Sequence, residues 1–423
     1  MRLNGVRDMT STTNIITYIF LFASMNFEVF LLITYFENRL LLKEEDDEAL
    51  KTIKKYPSVT IIVPCWNEEK TVSKTIHSLL NLDYPKNKLK IMVVNDGSTD
   101  KTWERVQKFK NNPQIELYTK ENGGKYTALN FGLSKLGTEL VGCLDADSYV
   151  HKDALKHIIT YFENDKDVMA VAPSVKLWQP KGVLQLLQKV EYNFGIFTRK
   201  MFHYMQAVYI TPGPFSIFRR EVFEKLGVYR HAHNTEDIEI ALRMQKNGYK
   251  IVHAHKAEVY TVPPNSLGKL ITQRTRWSHG FIKNAQDYKE IFFNKKYGNL
   301  GMLVFPMAAV SIVSVIPLSI ISIYTLVQKL TDFIIRIQTV GINPHIHFSF
   351  DWFYVNTQLI AIISLIATLG TILMILIARR LSEGKLRIGM DLIYFLTLYM
   401  FIAPIWIAKA SYNALFKVKT NWR

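Results

Sequence analysis

An α/β domain with a parallel sheet, set between membrane-spanning helices, is the fold class the sequence predicts. Three observations carry that prediction. Between Val59 and Ser266, short apolar runs alternate with amphipathic helical patterns. Long runs with few charges flank this segment on both sides. Three strand-like runs lead into loops that carry acids, the place where ligands of parallel sheets sit. The overall 48% hydrophobic and 21% charged residues average over these unlike parts and describe neither.

The net charge of +16 fits nucleic acid, anionic lipid or an anionic small substrate. The basic residues are scattered through the middle and beside the apolar runs, with no stripe interleaved with aromatics. Membrane apposition therefore explains the charge better, and no nucleic-acid partner is expected. Cys65 and Cys143 are the only cysteines, so there is neither a disulfide framework nor a zinc spacing. Two buried free thiols place the middle domain in a reducing compartment.

Residues 1–13 read as a tail and 14–36 as a first membrane helix, interrupted by Asn26 and Glu28. The run is too long for a signal peptide and no clear cleavage site follows. Residues 37–57, with the acidic patch Glu44 to Glu48, read as a solvated juxtamembrane linker without chemistry.

The domain itself spans 58–262. Strands are expected at Val59 to Pro64, Leu89 to Val94, Glu139 to Leu144 and Val168 to Val175, with helices through Val72 to Leu80 and Trp103 to Phe109. Residues 183–209 are too polar to cross a bilayer and too apolar for a surface helix. They read as an interfacial amphipathic helix, with a plain core helix as the other reading.

In Asn95 to Asp100, Gly97 permits a tight turn and Ser98, Thr99 or Asp100 can cap the next helix. Asn122-Gly123-Gly124-Lys125 offers close backbone approach and one cation, suited to a diphosphate or to an ordinary hairpin turn. Asp145 and Asp147 stand one residue apart at a strand end, where paired carboxylates can grip a hard divalent cation that also binds phosphate. Thr211 to Ser216 is a Pro- and Gly-rich loop that brings backbone close to another group.

Thr235-Glu236-Asp237 opens a helix that stops at Asn247-Gly248. Acids there complement the helix dipole, and one of them can also act as a general base. His231, His233, His253 and His255 lack a supporting ligand set at metal spacing.

Residues 263–298 hold helices at the membrane interface, the main one running from Leu267 to Tyr288. On it Gln273, Arg276 and Trp277 share a face at i, i+3 and i+4. Trp can stack on a sugar ring and Arg can pair with phosphate, or both can sit at lipid headgroups. Arg274 points away from that face and reads as a headgroup anchor.

The remainder, 299–423, is a membrane region with spans near 300–327, 352–377 and 390–410. Arg379, Arg380, Lys385 and Arg387 mark a cytosolic loop, which puts the middle domain inside and the stretch from Gln328 to Asp351 outside. Three spans would send the C-terminus outside, against the basic Lys417, Lys419 and Arg423; Pro404 is where the last block could break into a re-entrant piece.

In this order the motifs IIVPCWNEE (61–69), NDGSTD (95–100), NGGK (122–125), DAD (145–147), TED (235–237) and QRTRW (273–277) resemble those of the membrane-embedded, processive family 2 glycosyltransferases. These are the hyaluronan, chitin, cellulose and poly-N-acetylglucosamine synthases. The wording is most similar to the bacterial poly-N-acetylglucosamine branch, although Pro212-Gly213-Pro214 differs from it. The resemblance implies a GT-A, Rossmann-like nucleotide-binding domain in the cytosol, in a multi-pass protein of the cell (inner) membrane.

It further implies a UDP-sugar donor, Mg2+ or Mn2+, and a polysaccharide acceptor that leaves through the bilayer, with room for an accessory membrane subunit. Glu68 and Asp96 would hold the uracil and ribose end of the donor, Asp145 and Lys125 its ribose and diphosphate, and Asp147 the metal. Arg276 would offset charge on the departing UDP. Asp237 would be the base of an inverting displacement, with Gln273 and Trp277 at the acceptor. A non-processive enzyme adding one sugar to a lipid, similar to ceramide glucosyltransferases, is the main rival. A scaffold that has lost its catalytic carboxylates is excluded by the presence of Asp145, Asp147 and Asp237.

Overall fold

The computed structural model describes residues 2–48, 53–341, 359–416 and 418. The chain enters through α1 (Arg2–Glu37) and α2 (Arg39–Glu48). The apolar run Val59–Cys65 then forms β1, with all seven residues buried, as a strand covered on both faces requires. Its side chains alternate, Ile61 and Val63 facing one core and Ile62 the other. With β2 (Leu89–Asp96), β3 (Ile115–Lys120) and β4 (Leu140–Cys143) it makes a parallel set. The crossovers carry α3 (Val72–Leu80), α4 (Thr102–Gln107) and α5 (Lys125–Leu133).

The second half of the domain contains β5 (Ser148–Val150), α6 (Ala154–Asn164), β6 (Val168–Leu177), α7 (Gly182–Tyr204), β7 (Ile217–Arg219), α8 (Arg220–Leu226), α9 (Glu236–Lys246) and β8 (Lys250–Thr261). Among the described residues one eight-stranded sheet results, in the order β3-β2-β1-β4-β7-β6-β8-β5. It is mixed, which corrects the expected parallel sheet: β7 runs antiparallel to β4 and β6, and β5 antiparallel to β8. β5 and β7 have only three residues each, too few to show a period in the sequence. Cys65 and Cys143 are buried free thiols, as expected.

Helix α7 lies between the sheet and the C-terminal helices. Phe197 and Met201 enter the domain core, while Val190 packs with Ile375 and Leu392 of the C-terminal helices. It ends at Tyr204, short of the expected 209. α10 (Leu267–Asp287) follows β8 and matches the expected helix within one residue.

Among the described residues four helices are long and apolar enough to cross a membrane: Ile15–Glu37, Leu300–Val340, Ala361–Glu383 and Met390–Leu415. Leu300–Val304 is a π-helical turn that leads into α11 (Phe305–Val340). The 41 residues reach well past the expected 327 and make roughly 60 Å of helix, about twice the hydrocarbon thickness. α12 (Leu359–Glu383) and α13 (Met390–Leu415) complete the set. The start of the expected 352–377 span, residues 342–351, and Lys417, Lys419 and Arg423 lie outside the described residues.

α13 passes through Pro404 unbroken. Leu392 packs on Val190 of α7, and Trp406 packs beside Ile271 of α10, so α13 lies along the two interface helices. The polar interruptions of α1 are satisfied: Asn26 donates to the Phe22 carbonyl at 2.7 Å, and Glu28 accepts from Thr371 Oγ1 of α12 at 2.6 Å.

The juxtamembrane stretch is not an idle linker. Glu45 on α2 reaches the Lys200 ammonium at 2.5 Å and accepts from the Tyr161 hydroxyl at 2.8 Å. The Lys200 side chain is 0% exposed, whereas the linker reading left Glu45 in solvent. An exposed pair would contribute under about 1 kcal/mol, but removing one partner of a buried pair costs about 3–5 kcal/mol. Glu45→Ala is therefore expected to lower the midpoint of thermal unfolding in detergent, by a loss of about 3 kcal/mol. Glu44→Ala, at an exposed position, should leave it unchanged.

Candidate active site

A cavity of about 1350 Å3 opens beyond the carboxyl ends of β1 and β4 and extends to α10 and α11. The sequence places its walls. Glu68 comes from the loop after β1, Asp145 and Asp147 from the loop after β4, and Lys125 from the first turn of α5. Glu236 and Asp237 come from the first turn of α9, and Gln273, Arg276 and Trp277 from α10. Eight of the nine residues singled out in the sequence thus share one cavity.

Asp96 is the exception. It is 3% exposed and accepts from Lys120 Nζ at 2.6 Å, Gly123 N at 3.1 Å and Gly124 N at 2.8 Å. Its carboxylate clamps the turn that starts α5. That turn is a helix start with Gly124 at φ 90°, which removes the hairpin reading of Asn122 to Lys125.

Lys125 is the hub. Its ammonium lies 2.6 Å from Asp145 Oδ1 and 3.1 Å from Glu236 Oε1, with 12% of its side chain exposed. Burial works against the charge on Lys125, yet the two carboxylates outweigh it and hold its pKa well above the ordinary value. A Cβ on Gly213 would stand 2.7 Å from Lys125 Nζ and 3.3 Å from Asp145 Oδ2. The Pro-Gly-Pro loop therefore seats its backbone directly on the pair, the close approach its composition suggests.

The two acids of the α9 first turn are driven apart. Burial favours the neutral form of Glu236, but Lys125 overrides it and holds its pKa below the ordinary value. Asp237 is raised to about 6, first by burial and then by the negative charge of Glu236. Adjacent carboxylates with separated pKa values identify which one can take a proton near neutral pH, and here it is Asp237.

Ahead of Asp237 the backbone is left-handed at three successive non-glycine residues, Ala232 (φ 44°), His233 (φ 54°) and Asn234 (φ 63°). Each costs roughly 1–3 kcal/mol and persists only where its surroundings hold it. One face of α10 does so. Arg276 Nη1 donates to the Asn234 carbonyl at 3.1 Å, and Asn284 Nδ2 donates to Thr235 Oγ1 at 2.9 Å. Between them Gly280 is so close that a Cβ there would lie 2.3 Å from Thr235 Oγ1. Sequence reasoning missed Gly280 and Asn284, although their i+4 and i+8 spacing from Arg276 was readable.

Arg274 corrects an expectation. It is 3% exposed and makes two bonds of 2.9 Å to the Glu191 carboxylate of α7. Its guanidinium stands 4.2 Å from the centroid of the Trp277 ring. It is a buried clamp between α10 and α7 that steadies Trp277, not an anchor in the headgroups. Its other neighbour in the motif, Gln273, accepts from Arg274 Nη1.

Asp147 lines the cavity and accepts from Ser148 Oγ at 3.2 Å. Among the described residues no group of three or more His, Cys, Asp or Glu side chains is placed to hold a metal ion. His253 and His255 are buried in the domain, and His233 Nε2 meets Asp287 at 2.9 Å.

The family model described as glycosyltransferase like family 2 matches residues 57–280, just over half of the chain. The chain belongs to this family. Among curated relatives, the poly-beta-1,6-N-acetyl-D-glucosamine synthase of Staphylococcus aureus (strain COL) is 33% identical over 224 residues, 52% of this chain and 54% of that one. The protein of the same name from Staphylococcus epidermidis is 30% identical over 245 residues, 57% of this chain and 58% of that one. The chain thus spans about half the length of the curated relatives it matches.

The solved structure of mannosyltransferase PcManGT from Pyrobaculum calidifontis, in complex with GDP-Man and Mn2+, aligns with a TM-score of 0.58 at 18% identity. It covers 93% of this chain and 99% of that one, so the shared fold takes in the GT-A-like core and the helical region behind it.

Within this glycosyltransferase the α10 contact is open to test. Gly280→Ala is expected to push Thr235, and Asp237 with it, at an overpacking cost of about 1–3 kcal/mol. Sugar transfer should fall by more than about tenfold, since misplacing a reacting group by a fraction of an ångström is enough. Gly137→Ala, at an exposed position outside the cavity with nothing within 4 Å, should keep full activity when incorporation of radiolabelled sugar is measured.

Proposed function

We propose that this glycosyltransferase is an inverting hexosyltransferase that adds N-acetylglucosamine from a UDP-sugar to the end of a growing β-linked polysaccharide. The observation that carries this reading is Asp237, raised to about 6 and facing the cavity that also holds Asp145, Arg276 and Trp277. The relatives named as poly-beta-1,6-N-acetyl-D-glucosamine synthases support the sugar and the polymer. The four long apolar helices support an enzyme of the cell membrane that passes its product across, and the basic Arg379, Arg380, Lys385 and Arg387 support a cytosolic 58–262 domain.

Each residue then has a task. Lys125, backed by Glu236, meets the donor diphosphate, and Asp145 meets the ribose. Glu68 holds the uridine end; Asp96 assists by fixing the turn that presents Gly123, Gly124 and Lys125. Trp277, held by Arg274, stacks on the terminal acceptor sugar, with Gln273 beside it. Asp237 takes the proton from the acceptor hydroxyl while that oxygen bonds to the anomeric carbon. The bond from that carbon to UDP breaks on the opposite face, which inverts configuration. Arg276 offsets the charge that builds on UDP.

Asp147 supplies a carboxylate that would hold Mg2+ or Mn2+, hard cations that take oxygen ligands. Such an ion would neutralise the leaving group. The Mn2+ complex of PcManGT supports a metal in this fold.

Membranes bearing the protein, supplied with a panel of radiolabelled UDP-sugars, should incorporate N-acetylglucosamine into a ladder of oligosaccharides. A single lipid-bound sugar would refute polymerisation. EDTA should stop incorporation and Mg2+ or Mn2+ restore it; indifference to chelation would remove the metal from Asp147.

The base role has its own signature. Asp237 must be ionised to accept a proton, so with its pKa raised to about 6 the rate should rise with pH through about 6 and level off above it. Asp237→Asn should bind UDP normally and transfer nothing; near-normal turnover by this variant would take Asp237 out of the mechanism.

A further inference from the structure

The segment from the end of α8 to the start of α9 leads into Asp237, and three helices hold it. Arg243 of α9 donates to the carbonyls of Leu226, Gly227 and Val228 at 2.7, 3.3 and 3.0 Å. Its far end, Asn234 and Thr235, rests on α10 through Arg276 and Asn284. The middle belongs to α5. Asn130 Nδ2 donates to the Tyr229 carbonyl at 2.8 Å, and the Tyr229 N–H donates to Asn130 Oδ1 at 2.9 Å.

A side-chain amide carries an acceptor and a donor on one planar group, so Asn130 matches both backbone groups of Tyr229 as a neighbouring strand would. Tyr229 is 6% exposed, and buried backbone groups need such partners. Its ring packs on Phe223 with centroids 5.0 Å apart. The groups that act on its phenol are Cys143, Glu236, Lys125 and Asp237, so the ring reaches under the two acids.

Two more contacts run from the same helix. Tyr126, one turn before Asn130 and on the same face, meets the His231 ring edge to face at 5.5 Å. Lys125, the first residue of α5, reaches Glu236 at 3.1 Å. One helix thus touches residues 229, 231 and 236 in succession, while its first turn lines the cavity. Arg243 sits on α9 and moves with Asp237, so its bonds cannot fix the base relative to the donor. Asn130 can, because five residues of continuous helix join it to Lys125.

We infer, on the roles proposed above for Lys125 and Asp237, that Asn130 is a positioning residue for sugar transfer: its grip on Tyr229 holds the approach to Asp237 in register with the cation that meets the donor diphosphate. Asn130 touches neither substrate. Its loss should therefore slow the chemical step and spare donor binding.

The full-length protein in detergent, with Asn130→Ala, the isosteric Asn130→Asp and Tyr84→Phe, can be compared by UDP calorimetry, thermal unfolding and radiolabelled sugar transfer over a range of UDP-sugar concentrations. Tyr84→Phe removes a buried hydroxyl that donates to the Pro57 carbonyl at 2.6 Å, at the end of β1 away from the cavity. Counted per UDP-binding site, kcat of Asn130→Ala should fall by at least about tenfold while the UDP affinity and the donor KM stay within about threefold. Asn130→Asp keeps the bond from Tyr229 N, loses the one to its carbonyl, and should fall in between. Tyr84→Phe should lower the unfolding midpoint and keep kcat.

Normal kcat in both Asn130 variants, with Asp237→Asn inactive, would overturn the role of Asn130 and leave the base in place; turnover by Asp237→Asn would instead remove the base reading itself. An equal drop in kcat for Tyr84→Phe would reduce Asn130 to general stability. Loss of UDP binding in both Asn130 variants would also overturn the inference, assigning the residue to the donor cradle or to folding.

Discussion

The Lys125 ammonium, held between Asp145 and Glu236, is the interaction on which the rest of the site depends. It joins the start of α5, the end of β4 and the start of α9, three segments far apart in the chain. Without Lys125, the buried Glu236 would lose its nearest counter-charge. Lys125 is the largest of the influences that keep Glu236 a carboxylate, with a backbone hydrogen bond and Arg276 beside it, while burial and Glu236 raise Asp237. A side chain at Gly213 would press on the same pair and push the Lys125 ammonium from its place.

Helix α10 connects this chemistry to the membrane. One face holds the left-handed loop ahead of Asp237 through Arg276, Gly280 and Asn284. Arg274, on another face, is fastened to Glu191 of α7. α7 in turn is bound to α2 through Lys200 and to α12 through Lys189, both by ion pairs. A displacement of the membrane helices therefore bears on α7 and α10 before it reaches Asp237. The pairs that make these joints are buried or half-buried, where loss of one partner matters far more than at an exposed surface.

The loops after β1 and β4, the acidic start of α9 and the shared face of Gln273, Arg276 and Trp277 were legible because strand ends, helix caps and helical spacing are local properties. Asp96 shows the limit. Its place at a strand end was visible, but whether the carboxylate faces a ligand or folds under its neighbours depends on Lys120 and the Gly123 and Gly124 amides, which only the folded turn brings to it. Arg274 was misjudged for the same reason: helical spacing says which residues share a face and nothing about what packs on the other faces. β5 and β7 escaped because three residues cannot display a period.

By itself, the sequence determined the α/β class, the membrane character of both ends, the free thiols and the identity of the acidic loops. Those properties rest on hydrophobic periodicity, run length and turn chemistry within a few residues. Only the tertiary structure decided that the sheet is mixed, that Glu45 closes on a buried Lys200, and that Glu236 rather than Asp237 is tied to Lys125. Each of these depends on which side chains meet across long stretches of chain, and charge and burial acquire their energies only when those partners are in place.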